Sequence, residues 1–145
     1  MKKNIKHFDF KSFLKSEVEG YDGQYSNIIR HTDEIYYLCC GMIYSNDIGK
    51  KEKAMLYKAI AYFVLPRDLF PETIHGAKGY IDDLMLCLYV LNIISKNHSI
   101  DIFYNKWTNK PSTLKRLLDK DFEKLKKENQ LLFKNVLKEV NINLQ

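Results

Sequence analysis

The sequence predicts a single all-α domain, a bundle of about five or six helices around a central apolar helical hairpin, with a long amphipathic helix at the C-terminal end. Three observations lead there. The chain has 145 residues, enough for one sizeable core but short for two. Its composition, 46% hydrophobic and 28% charged, is that of a globular protein. Breakers are scarce, with 6 Gly and 3 Pro, and Val and Thr are few, which favours helices over a many-turned β fold.

The elements follow in order. FDFKSFLKSEVEGYDG reads as a short helix ended by Gly20 and Gly23, because glycine readily takes the left-handed cap conformation. Tyr25, Ile28, Ile29, Ile35, Tyr36, Cys39, Met42 and Ile43 then recur at three- and four-residue intervals, the stripe of a helix from about Ser26 to Ser45. Asn46, Asp47 and Gly49 supply the turn that follows. A third helix is predicted over Lys50–Val64, burying Met55, Leu56, Ala59, Ile60 and Phe63, and Pro66 stops it by forcing the preceding residue out of helical geometry. Residues 65–79 read as a loop. The next helix, about Tyr80 to Ser95, is apolar nearly all round and therefore belongs at the centre of the core. Past the linker KNHSIDIFYNKWTNKP, Leu114, Leu118, Phe122, Leu125, Leu132, Val136 and Val140 form the stripe of a basic helix over 112–140. The run KKENQ (126–130) interrupts it and predicts a bend.

Charge is unevenly spread. Residues 1–30 carry 6 basic and 4 acidic side chains (+2), residues 31–95 carry 6 and 8 (−2), and residues 96–145 carry 11 and 6 (+5). A basic tail on a mildly acidic body suits nucleic acid, an anionic membrane surface or an acidic protein partner, although a solvated helix face produces the same pattern. The N-terminal stretch lacks the apolar h-region of a signal peptide, and the longest apolar run, Leu84 to Ile94, is too short to span a bilayer. Cys39, Cys40 and Cys87 form no disulfide framework, and Cys87 sits in an apolar run as a small hydrophobe. A soluble cytoplasmic protein is expected.

The stretch LPRDLFPE…GYIDD concentrates charge between two apolar runs. Tyr62, Pro66, Asp68, Leu69, Pro71, Gly79, Tyr80, Asp82 and Asp83 stand in an order that resembles the YkvA-like family, small bacterial proteins built round a domain of unknown function. The resemblance covers about residues 54–94. Glu72 stands where that family more often has Asp, and the TIHGAK connector is more polar than its usual counterpart. The resemblance implies a helical fold in a cytoplasmic or membrane-peripheral bacterial setting, and it implies no activity.

The acidic residues have two readings. As structural groups, Asp68 supports the turn, Asp82 and Asp83 meet free N–H groups in a first helical turn, and Arg67 pairs with one of them. On that reading an Asn at 82 or 83 costs little. As a site, Asp68, Glu72, Asp82 and Asp83 are an all-oxygen set suited to Mg²⁺, Mn²⁺ or Ca²⁺ in a metal-dependent hydrolase, with His75 as a further ligand or proton carrier. No cofactor motif is present: GxGxxG, P-loop, GxSxG and CxxC are all absent, and no catalytic residue is assigned. His7, His31, His75 and His98 are scattered and expected at the surface.

The expected function is therefore that of a small cytoplasmic bacterial interaction or regulatory protein, in a setting such as immunity or defence, acting through a protein partner or self-association. Lys115, Lys120, Lys124, Lys127 and Trp107 are the candidate partner-binding residues. One alternative is the metal-dependent hydrolase. The other is nucleic-acid binding through the same lysines with Phe103, Tyr104 and Trp107, though no groove-reading motif accompanies them.

Overall fold

In the computed structural model, which describes residues 9–64 and 79–144, every regular element is helical. The order is α1 (Phe10–Val18), α2 (Ser26–Ile29), α3 (Thr32–Met42), α4 (Lys50–Val64), α5 (Ile81–Asn97), a 3₁₀ turn (Ile100–Phe103), α6 (Pro111–Arg116), a π turn (Leu117–Asp121), α7 (Phe122–Glu128) and α8 (Gln130–Glu139). No helix among the described residues is long and apolar enough to cross a membrane.

Helix α5 is the axis of the molecule. Every residue from Gly79 to Ile94 is buried except Asn92, which is half-buried. A helix without a polar face has to be wrapped on all sides, and α3, α4, the π turn, α7 and α8 do the wrapping. Side-chain bonds at both ends show that α4 and α5 run antiparallel. Tyr62, late in α4, donates to Asp82 in the first turn of α5 at 2.7 Å. At the other end Glu52, early in α4, accepts from Asn97 at 3.1 Å and lies 2.9 Å from Nε2 of His98. The same carboxylate accepts the Gly49 backbone N–H at 2.9 Å, the reach-back of a capping box.

Three local departures from the sequence expectation have physical causes. The helix expected over 26–45 is two helices, because the His31 amide bonds Ile28 in a tight turn and the Thr32 hydroxyl donates to the Ile29 carbonyl, diverting the backbone between α2 and α3. Neither Gly20 nor Gly23 takes the left-handed conformation. Tyr25 does, at φ 63°, and its hydroxyl bonds Glu128 at 2.7 Å and accepts from Asn129 at 3.1 Å. The C-terminal helix breaks at Asn129 (φ −133°, ψ 44°), within the KKENQ run that interrupts its stripe. Asn129 Nδ2 stays bonded to the Leu125 carbonyl across that break, at 2.9 Å.

Two aromatic seams tie the outer helices to the axis. Phe10, Tyr36, Phe63 and Tyr80 follow one another at ring separations of 5.1, 5.0 and 5.9 Å, linking α1, α3 and α4 to the entrance of α5. Tyr89, Phe122 and Phe133 form a triangle of 6.4, 5.2 and 5.9 Å joining α5, α7 and α8. Such pairs contribute about 0.5–1.5 kcal/mol beyond their area.

Two outcomes follow from this packing. Leu114, Leu117, Phe122, Leu125, Phe133 and Val136 belong to the core, so a chain truncated after Lys110 uncovers one side of α5. It is expected to lose its cooperative thermal transition in circular dichroism, and a truncated chain that still melts cooperatively would contradict the wrapping of α5. The second concerns Glu52. Burial pushes its pKa up, but the Gly49 amide, His98 and Asn97 outweigh burial and leave it below the ordinary value. A carboxylate depressed in the folded state stabilises above its unfolded pKa of about 4.3 and ceases to do so as pH falls through its folded value. Glu52→Gln is therefore expected to cost about 1–2 kcal/mol at neutral pH, with the gap to wild type closing below about pH 4 in urea titrations.

Candidate functional site

The end of the hairpin where α4 meets α5 holds the most unusual chemistry. Asp82 and Asp83 are consecutive acidic residues with no solvent exposure at all. Helical periodicity puts them there: Ile81, Leu84 and Met85 are equally buried, so the first turn of α5 is enclosed on every side and its polar members are enclosed with it. Asp82 Oδ1 accepts the Asp83 amide at 3.1 Å, one of the free N–H groups of the helix start, and Oδ2 accepts the Tyr62 hydroxyl. Tyr80, stacked on Phe63, lies immediately before them.

Asp82 does more than meet the helix start: it is a buried group that also joins the helix start to α4 through Tyr62. Arg67, Asp68, Glu72 and His75 lie outside the described residues. Among the described residues, no three His, Cys, Asp or Glu side chains form a group able to hold a metal ion.

A second candidate surface lies along the C-terminal helices. Lys115, Lys120, Lys124 and Lys127 are all exposed, and among the described residues none of them makes an ion pair or hydrogen bond. The cations that are tied down are their neighbours: Arg116 bonds Asp121 at 2.8 Å and the Asn27 carbonyl at 3.0 Å, and Lys126 pairs with Glu123 at 3.2 Å. Trp107 stands apart from that exposed set. Its ring is buried and its Nε1 donates to the Lys110 carbonyl at 2.9 Å, an anchor for the linker into α6. Phe103 is buried as well.

Between α5 and α6–α7 lies a cleft of about 480 Å³, floored by Tyr89, Ile93, Leu118 and Phe122 and edged by Lys96, Lys115 and Lys126. Asn92 explains its shape. Its Nδ2 donates to the Leu118 carbonyl at 2.9 Å and to the Leu88 carbonyl at 3.1 Å, stitching the π turn to the central helix. The sequence shows Asn92 as a polar residue inside an apolar run. Its role was not legible, because the carbonyl it satisfies lies 26 residues away.

The remaining candidates are structural. Cys39 and Cys87 are buried between α3 and α5, and contact with Cys39, then burial, raises the Cys87 thiol well above its ordinary value, which makes it unreactive. His31 bonds Glu34 at 2.6 Å and His98 bonds Glu52, so these two histidines, expected to be ordinary surface residues, serve as carboxylate partners.

Residues 52–89 match the family described as "Protein of unknown function (DUF1232)", and the YkvA-like resemblance read over 54–94 is consistent with it. The chain is 26% identical over 131 residues to a Methanothermobacter thermautotrophicus protein described as "Uncharacterized protein ORF9", covering 90% of this chain and 89% of that one. Similarity therefore extends beyond 52–89 into the flanking helices. No solved structure matches.

The buried carboxyls are open to a direct test. Asp82→Asn and Tyr62→Phe are each expected to destabilise by about 1–3 kcal/mol, because each weakens or removes a hydrogen bond between buried groups. Mg²⁺, Mn²⁺ or Ca²⁺ is expected to leave the melting temperature of wild type unchanged. A metal centre would instead stabilise by about 2.7 kcal/mol at a hundredfold excess over its dissociation constant, and Asp83→Asn would erase that gain.

Proposed function

We propose that the protein is a small interaction or regulatory protein that acts through a protein partner bound at the basic face of α6, the π turn and α7. The observation that carries this reading is the set of exposed lysines, Lys115, Lys120, Lys124 and Lys127, without an acidic partner among the described residues. Surface charges left unpaired on one face raise the local potential and steer an oppositely charged molecule to it. The π turn, α7 and α8 pack against α5, and α6 packs against the π turn, so the lysines stand on a platform fixed to the central helix. Three free cysteines suit the reducing cytoplasm in which we place this role, and the partner's identity would decide whether the setting is immune or defensive.

Nucleic acid would use the same lysines, but sequence-tolerant binding to single strands also needs exposed aromatic faces for stacking. Phe103 and Trp107 are buried. A protein partner is the better fit.

Affinity capture from the native host, comparing wild type with Lys115→Glu/Lys120→Glu/Lys124→Glu/Lys127→Glu, tests the reading. A protein retained by wild type and lost by the variant is expected. Capture of the same proteins by both, or of nucleic acid that a nuclease removes, would refute it.

A further inference from the structure

The cleft beside Asn92 is one part of a longer groove. Two further depressions adjoin it along α7 and α8, and Leu144 lines all three. The wall at Leu144 is a built one: Tyr89 donates to the Asn143 carbonyl at 3.1 Å, Lys58 donates to the Asn141 carbonyl at 2.8 Å, and Ile142 is buried between them. Seven lysines line the three depressions against the carboxylates Asp119, Glu123 and Glu128, a balance of 7 − 3 = +4. The floor is apolar, with Tyr89, Ile93, Leu118 and Phe122 each only 3–6% exposed.

Resting on the partner reading above, we infer that this groove takes an acidic, amphipathic peptide segment of the partner, its apolar side chains on the floor and its carboxylates against the lysine rim. Three features select that chemistry. A continuous groove shared by three depressions accommodates a chain segment better than a compact metabolite. The positive rim complements acidic side chains, and the apolar floor gives a hydrophobic residue a place that a phosphate backbone would not use. Asn92 adds a polar fixing point in the cleft. Both of its bonds come from Nδ2, so its amide oxygen is left to accept a donor from the segment.

Fluorescence anisotropy on the full chain tests this with three labelled probes: a peptide of about 18 residues, five helical turns, with Leu every three or four positions among Glu; the same peptide with Ser for Leu; and a single-stranded DNA oligonucleotide. The Leu/Glu peptide is expected to bind, and the Ser/Glu peptide to bind about tenfold more weakly or worse. Lys115→Glu/Lys127→Glu/Lys134→Glu, and separately Leu144→Glu, should each weaken the Leu/Glu peptide by about tenfold. Both variants change exposed residues and should melt like wild type. Equal binding of the two peptides, tighter binding of DNA, or no binding of the Leu/Glu peptide at low salt would overturn the inference. If the peptide fails while affinity capture still yields a lysine-dependent protein, the groove's assigned chemistry is wrong and the partner reading stands. If both fail, the partner reading falls too.

Discussion

Everything in this fold depends on enclosing a helix that has no face for water. Helix α5 begins with two fully buried aspartates and continues through eight more buried residues before Asn92 gives the first partial opening. Its apolar length is stabilised by whatever covers it, but its polar entrance is stable only where hydrogen bonds meet it. The Tyr62–Asp82 bond and the carboxyl–amide bond to Asp83 are two of those connections. The first comes from α4, whose far end is tied to the exit of α5 through Glu52, and the second is local to α5. The hairpin is thus fastened at both poles by carboxyls, and the other helices pack on a unit whose direction is already set.

The two candidate surfaces sit at different stations along this axis. Asp82 and Asn92 are ten residues apart, which on a helix is about 15 Å. The aromatic seam through Phe63 and Tyr80 serves the acidic entrance, while the triangle of Tyr89, Phe122 and Phe133 underlies the basic groove. Chemistry at the entrance is enclosed and acts on folding. The groove is open to solvent and edged by lysines. The part of the chain that resembles a family and the part that bears the exposed lysines are therefore joined through one central helix.

Much of this was legible in the residues. The bounds Lys50–Val64 follow from the stripe and from Pro66, and the central position of α5 follows from an apolar run without a polar face. The break in the C-terminal helix was marked by five polar residues in a row. What could not be read depends on partners distant in sequence. Glu52 looks like one more charged residue in a lysine-rich run, and only the fold brings Asn97 and His98 to it. Tyr62 stands in the motif, yet nothing in a one-dimensional pattern says its hydroxyl reaches the carboxyl twenty residues on. Trp107, grouped with the lysines because aromatic and basic residues often share a surface, is buried because its ring closes the linker. A left-handed tyrosine where two glycines stand nearby is equally invisible, since Tyr25 is held by Glu128 and Asn129 from the other end of the chain.

The π turn at Leu117–Asp121 has a meaning for how this chain tolerates changes in length. A turn of that kind behaves as one extra residue set into an α-helix, and each residue of an α-helix advances the phase by about 100°. Phe122 and Leu125 reach α5, and the lysines face outward, only because that extra residue has been counted. Deleting a single position here would remove that extra residue and let the stretch close to an ordinary α-turn with Phe122 still facing Tyr89, whereas one more inserted residue would leave every downstream side chain chemically intact but rotated, turning charged neighbours toward the core. Substitutions in this stretch are read one residue at a time, whereas an insertion re-indexes the whole C-terminal arm. Asn92, bonded to the main chain of that turn, acts as its register pin.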